Sequence, residues 1–334
     1  MAISAESSST PPTAQERVPD FFIIGHPKTG TTSLHRMLAA HPEIYMPDVK
    51  EPLFLASDAR PRAGHEREPR ELQYPQTLED YLALFGEASP RQRVGEASTL
   101  YLWSRTAAGR IVELQPDARV IAILREPADF LRSLHMMFLR WSVETEPVLR
   151  TAIALETARR EGRQIPHRSH RPQLLRYSEH VQYVEQLSRY REHLGPEQML
   201  VLIYDDFRAD NEATVRRVLR FLEVDDRAPV DVAKVNVTTR TVRSQRLKHL
   251  LNSIAKGQGP LARSTKATIK SLTTRKLRAD AIRAIRRHAV TAPAPPPDED
   301  FAIELRRRFA GEVVALSDYL GRDLVSLWGY EDLG

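Results

Sequence analysis

The sequence predicts an α/β fold with a P-loop-like central parallel sheet flanked by helices on both faces. Three observations lead there. Four short apolar runs, Phe21–Ile24, the region around Val94–Ser98, Val120–Leu124 and Met199–Tyr204, have the length and composition of buried strands. Each is followed by a turn signal and then by helical spacing or a long loop, and strands alternating with helices argue for a covered parallel sheet. The first run passes through a Gly/Thr-rich turn, Gly25 to Thr32, directly into a helical pattern.

The elements follow in order. After the first run, Leu34, Met37 and Leu38 fall at i, i+3 and i+4, and His41-Pro42 closes the helix. After the third run, Leu131, Leu134, Phe138 and Leu139 fall at i, i+3, i+7 and i+8, with Pro127 placed in the first turn. Residues 179–194 read as one amphipathic helix stopped by Gly195-Pro196, and 212–222 as another. Residues 56–76 are polar and Pro-punctuated and read as a long mobile loop. Residues 291–300 form a Pro-rich connector that cannot be helical throughout. Leu305, Phe309, Leu316 and Leu320 mark a C-terminal helix ending near Gly321. No internal repeat is visible. The expected organisation is a disordered leader over 1–19 and one domain over 20–334.

Composition narrows the class. The 334 residues are 41% hydrophobic and 28% charged, ample for a globular core. Cysteine is absent, which excludes disulfides and thiolate metal sites and favours a reducing compartment. The Ser/Thr/Pro-rich leader lacks the apolar segment of a signal peptide, and no run is long enough to span a bilayer. A cytoplasmic location is therefore expected. The net charge of +5 is uneven: residues 234–287 hold fifteen Lys/Arg and a single acid, Asp280. Such a stretch suits an anionic partner, or simply a set of solvated basic helices.

The strongest local signal is FFIIGHPKTGTTSLHRML. A strand entering Gly25-His26-Pro27-Lys28-Thr29-Gly30-Thr31-Thr32 and then a helix points backbone N–H groups and a helix dipole at one spot, which suits phosphate or sulfate. The plainer alternative is a strand–helix turn that is Gly/Thr-rich for structural reasons. The spacing of Gly25 and Gly30 matches GxxxxGK[ST], but Thr31 stands where that pattern has lysine. A kinase also needs Mg²⁺, usually held by an Asp at a neighbouring strand end. Here the strand 120–124 is followed by Arg125, an anion ligand in place of a metal ligand.

With these residues in place, the sequence resembles the sulfotransferases that use 3′-phosphoadenosine 5′-phosphosulfate (PAPS), nearest to heparan-sulfate-type and bacterial members. Lys28-Thr29-Gly30-Thr31-Thr32 matches the family's 5′-phosphosulfate loop. Arg125 with Ser133, in LREPADFLRSLH, matches its 3′-phosphate element. Lys50-Glu51-Pro52-Leu53-Phe54 resembles the segment carrying the acceptor-side acid, and the run from Gly95 to Leu102 resembles the segment after the acceptor loop. The strand ending at Tyr204-Asp205-Asp206-Phe207 and the tail from Leu305 to Trp328 extend the likeness over roughly residues 20–328. Ala97 stands where some relatives carry lysine, Asp205 replaces the usual glutamate, and no clear cofactor-closing loop aligns, Arg243 being its candidate.

The resemblance implies one sulfotransferase domain, an enzyme using PAPS without metal, and an acceptor hydroxyl on a glycan, a lipid or a small natural product. Lys28 and Glu51 are the implied catalytic residues, Glu51 as general base. Lys28, Thr29, Gly30, Thr31, Thr32, Arg125, Ser133, Tyr204 and Arg243 are the implied nucleotide-binding residues. His135, His65 and His26 stay open as alternative bases, an exposed acid paired with Lys50 is the plainer reading of Glu51, and a core tyrosine that of Tyr204. No nucleic-acid partner and no membrane span are expected. The competing functions are a P-loop small-molecule or nucleoside kinase and a non-catalytic anion-binding module.

Overall fold

The computed structural model describes residues 17–59, 74–167, 169, 171–230, 240–242, 291–293 and 298–332. Contacts divide the chain into two compact units interleaved in sequence. One comprises residues 1–60, 67–124 and 186–234, and the other 61–66, 125–185 and 235–334.

The first unit is built on a parallel sheet. Its strands are β1 (Phe21–Gly25), β2 (Ile44–Tyr45), β3 (Arg93–Ala97), β4 (Arg119–Leu124) and β5 (Met199–Ile203), in the spatial order β2-β3-β1-β4-β5. Every β1 residue is buried, as are five of the six in β4, the pattern of strands covered on both faces. That burial is why these runs are continuously apolar and show no alternation. Register is set by Ile23 opposite Ala97 on one side and Gly25 opposite Ile123 on the other. From β1 the chain runs to the edge strand β2, steps back to β3 beside β1, then crosses to β4 and β5 on the other side. This reversal at β1 is where open α/β sheets place their ligands, beyond the carboxyl ends of the strands.

Its described helices include α1 (Thr31–Ala39), α2 (Leu78–Ala83), α3 (Ala107–Leu114), α8 (Tyr204–Ala209) and α9 (Asn211–Leu222). Helix α2 begins in a capping box, with Thr77 and Asp80 each accepting from the other's backbone N–H. At the start of the described residues, Arg17, inside the leader expected from the sequence, donates to the Ser89 and Gln92 carbonyls.

The second unit contains α4 (Pro127–Trp141), α5 (Leu149–Ala154), α6 (Glu156–Arg160), α10 (Glu299–Leu320) and α11 (Leu324–Trp328). Arg240–Val242 pairs antiparallel with Thr291–Pro293 as β6 and β7, so the first residues of the expected connector are extended. Its core holds a two-pronged ion pair: Arg159 reaches the two Glu144 oxygens at 2.8 and 2.9 Å, and both side chains are buried. The expected helix over 179–194 is a 3₁₀ turn, Tyr177–Val181, followed by α7, Tyr183–Arg191. The break falls at Gln182, whose ψ of 63° is not helical, beside His180, whose buried ring holds the Leu174 carbonyl. The C-terminal helix starts six residues before Leu305 and ends on Gly321 in a left-handed C-cap.

Candidate active site

Strand β1 delivers the loop. Gly25 has φ 144°, and a Cβ there would come within 2.9 Å of the Ile123 carbonyl oxygen on β4, so only glycine lets the chain leave the sheet at this point. The Thr29 hydroxyl donates to the His26 carbonyl at 2.7 Å and closes the turn from inside. His26 is buried, its Nε2 2.8 Å from Gln186 Oε1. Lys28 adopts the left-handed region at φ 75°, and Gly30 follows at φ 91°. A left-handed non-glycine residue costs on the order of 1 kcal/mol, so strain is concentrated in this turn.

Gly30 is the N-cap of α1 and supplies no side-chain cap; the first turn of α1 contains no acid. The amino end of α1 thus offers the Thr31 and Thr32 N–H groups and the positive end of a helix dipole, with no carboxylate of its own to neutralise them. Thr31 is buried and Thr32 exposed. A side chain at Gly30 would strike the Phe207 ring at 2.9 Å and approach Tyr204 Cδ2 at 3.4 Å. Tyr204 and Phe207 therefore form the floor under the loop, and Tyr204 is buried.

Glu51 lies at the same end of the sheet. Its N–H donates to the carbonyl of Ala97, the last residue of β3, at 3.1 Å. Glu51 (φ 67°) and Leu53 (φ 53°) are both left-handed, which kinks residues 51–55. The kink is pinned by the segment after β3: the Leu53 N–H donates to Ser98 Oγ at 3.1 Å, and the Leu55 N–H to the Tyr101 hydroxyl at 3.1 Å. One carboxylate oxygen of Glu51 meets Lys50 Nζ at 3.2 Å, and the other accepts from Thr99 Oγ1 at 2.7 Å. Behind the kink, the Tyr81 and Tyr101 hydroxyls both donate to Glu96 Oε2 at 2.8 Å. Burial pushes the Glu96 carboxyl up to about 7, against the pull of hydrogen bonds from Ser98, Tyr101 and Tyr81. On α1, burial and then the Lys50 charge hold His35 down at about 4, so its ring is neutral at pH 7.

In the second unit, Arg125 follows directly on the last residue of β4. Its guanidinium meets Asp129 at 3.3 Å, and its carbonyl accepts from the Tyr183 hydroxyl at 2.8 Å. Glu126 caps α4 through the N–H groups of Ala128 and Asp129, and the Tyr330 hydroxyl donates to it. Burial raises the Glu126 carboxyl above its ordinary value, against the hydrogen bonds from Tyr330, Asp129 and Ala128. Ser133 lies two turns along α4 and is buried.

Among the sequence candidates, Lys28, Thr29, Gly30, Thr31, Thr32 and Tyr204 form one local cluster, and Glu51 is hydrogen-bonded to the end of the neighbouring strand β3. Arg243 and His65 lie outside the described residues, as does nearly all of the basic stretch 234–287. The His135 ring is occupied on both nitrogens, by the Tyr177 hydroxyl at 2.9 Å and the Pro147 carbonyl at 3.2 Å, and burial lowers its pKa. That is the bonding of a structural histidine. Sequence reasoning assigned no role to Thr99, Glu96 or Glu126; the Glu-Pro pair at 126–127 carried a capping signal, whereas nothing in the sequence marks Thr99. A separate cavity of about 180 Å³ is lined by Asp20, Arg93 and Arg119 among others. It sits at the amino ends of β1, β3 and β4, away from the loop, and its arginines already pair with Asp20 and Glu223.

Comparisons with known proteins supply the family. A family model described as "Sulfotransferase family" matches residues 19–228. The chain belongs to the sulfotransferase family. Human carbohydrate sulfotransferase 15 is 31% identical over a match covering 36% of this chain and 27% of that protein. Human bifunctional heparan sulfate N-deacetylase/N-sulfotransferase 3 is 31% identical over 34% of this chain and 12% of its own length. The chain thus spans about a quarter or less of these curated relatives. A solved sulfotransferase from Alicyclobacillus acidocaldarius superposes with a TM-score of 0.64 at 27% identity, covering 93% of this chain and 99% of that one.

Proposed function

We propose that the protein transfers the sulfuryl group of PAPS to a hydroxyl of an acceptor, with a sugar hydroxyl the first class to try. The observation that carries this reading is the amino end of α1, an uncapped, acid-free helix start preceded by Lys28 and placed one strand from Glu51. The donor set is all N–H, hydroxyl and ammonium, which fits a phosphosulfate. The resemblance to carbohydrate sulfotransferase 15 supports the sugar acceptor.

Sulfuryl transfer is an in-line displacement with charge spread over equatorial oxygens, so positioning and electrostatics dominate. The acceptor oxygen forms a bond to sulfur as the bond from sulfur to the bridging oxygen breaks. Glu51 takes the acceptor proton, and Lys28 neutralises charge on the departing bridging oxygen. The Thr31 and Thr32 N–H groups hold the 5′-phosphate side, and Arg125 with Ser133 holds the 3′-phosphate. Arg125 then exchanges part of its pairing with Asp129 for the phosphate.

The test is a thermal-shift comparison of 3′-phosphoadenosine 5′-phosphate (PAP) with ATP plus Mg²⁺. At one hundred times its Kd a ligand of the folded state adds about 2.7 kcal/mol, and PAP alone is expected to do so. Stabilisation by ATP–Mg²⁺ and none by PAP would establish the kinase instead. With PAPS and desulfated chondroitin or heparan as acceptors, Glu51→Gln is expected to lose turnover by at least about 100-fold. Full turnover in that variant would remove Glu51 from the mechanism.

A further inference from the structure

Glu51 stands in a conformation that a glutamate does not choose unaided. Its backbone is left-handed, the residue two further on is left-handed as well, and its carboxylate is only half-buried. A general base must present one lone pair to an incoming hydroxyl within a few tenths of an ångström, and a solvated glutamate with three free torsions does not. Something must fix it.

The segment after β3 does so at three successive levels. Tyr101, tied to the buried Glu96, holds the Leu55 N–H, and Ser98 holds the Leu53 N–H. Between them Thr99, itself buried, donates its hydroxyl to Glu51 Oε2 at 2.7 Å. Lys50 alone would leave the carboxylate free to rotate, because an ammonium on a flexible stem is a point charge without a fixed direction. The Thr99 side chain is different: β-branched, buried, and restricted at χ1, it sets a direction.

We propose that Thr99 is a positioning residue for the sulfuryl-transfer reaction, its hydroxyl fixing the orientation of the Glu51 carboxylate. The inference rests on the reading of Glu51 as the base. Thr99 acts through Glu51 and touches no reacting atom. One oxygen, Oε2, spends a lone pair on Thr99, while Oε1 is shared with Lys50; the remaining lone pairs stay available to take the acceptor proton.

The experiment compares Thr99→Val, which keeps shape and loses the hydroxyl, with Thr99→Ser, which keeps the hydroxyl. The first readout needs no acceptor. In glutamate-labelled protein the Glu51 carboxyl carbon, assigned by its disappearance in Glu51→Gln, is expected to shift in Thr99→Val and to return in Thr99→Ser. An unmoved resonance in Thr99→Val overturns the inference whatever the enzymology. The second readout is PAP release from PAPS with water or desulfated chondroitin as acceptor. Thr99→Val is expected to lower kcat by about 10- to 100-fold with the Kd for PAP unchanged, and Thr99→Ser to recover to within about threefold of wild type. If Glu51→Gln abolishes release while Thr99→Val retains it in full, the inference fails and the base assignment stands. If Glu51→Gln itself retains full release, or the wild type releases no PAP, the underlying reading fails and the inference goes with it.

Discussion

Two helices follow neighbouring parallel strands, α1 after β1 and α4 after β4, and their amino ends are finished in opposite ways. At α1 the N-cap is Gly30, there is no side-chain cap, and the first turn holds no acid. At α4 the Glu126 carboxylate caps two N–H groups, Pro127 removes a third donor, and Asp129 adds a second negative charge in the first turn. Tyr330 then fixes Glu126 from the far end of the sequence. One helix has consumed its dipole internally and the other has left it open. An anion at α1 is therefore met by backbone, whereas anything Arg125 and Ser133 do for an anion rests on their side chains.

The largest expected effect lies at the open end. Lys28→Ala should cut PAPS turnover by about 1000-fold, on the order of 4 kcal/mol of transition-state stabilisation, with the melting temperature nearly unchanged. Lys28→Gly sharpens the point, because it relieves the left-handed strain at φ 75°. It should be as inactive as the alanine variant and more stable by up to about 1 kcal/mol. A loss of stability in both variants would mean that Lys28 serves the fold.

Next comes the closed end, where binding and stability should separate between adjacent residues. Arg125→Ala is expected to weaken PAP binding about 30-fold by calorimetry, about 2 kcal/mol, with little change in stability. Glu126→Ala is expected to do the reverse, costing about 1–2 kcal/mol of stability for the lost cap while PAP affinity changes by less than about threefold. The sign with pH follows from the raised Glu126 carboxyl. A group that binds its proton more tightly when folded favours the fold at low pH, and that preference is lost as pH rises from the ordinary carboxylate value through the folded one. Chemical denaturation should therefore show the wild type losing ground to Glu126→Gln as pH rises through that window.

How much of this was legible in the sequence depended on how local each cause was. The four long strands, the α1 loop and the two helices at 127–141 and 299–320 carried their own signals of apolar runs, glycines and a first-turn proline. Strand β2 did not, because two residues have no periodicity to read; it exists only through its pairing with β3. The helix expected over 179–194 broke at Gln182 because the buried His180 bonds to the Leu174 carbonyl, a tertiary constraint that amphipathic spacing does not encode. The cluster at Lys28–Thr32 was readable because a strand, a turn and a helix are contiguous there. Thr99 was not, since its partner Glu51 is brought to it by β2–β3 pairing and by the left-handed kink at 51–53.

The smallest effect tests the comparison most directly. Thr32 is exposed in the first turn of α1, where α4 carries Asp129. Thr32→Asp gives the open helix the charge that the closed one already has. A carboxylate in a first turn is favourable with the dipole, so the variant should gain about 0.5 kcal/mol in stability at low ionic strength. The same carboxylate repels a phosphate approaching that turn, so PAP affinity should fall about tenfold, and both effects should shrink as salt is added. The two shifts have opposite signs and one cause. If the helix is stabilised and PAP binds as tightly as before, the phosphate does not sit at the amino end of α1, and the uncapped turn there has some other reason to be open.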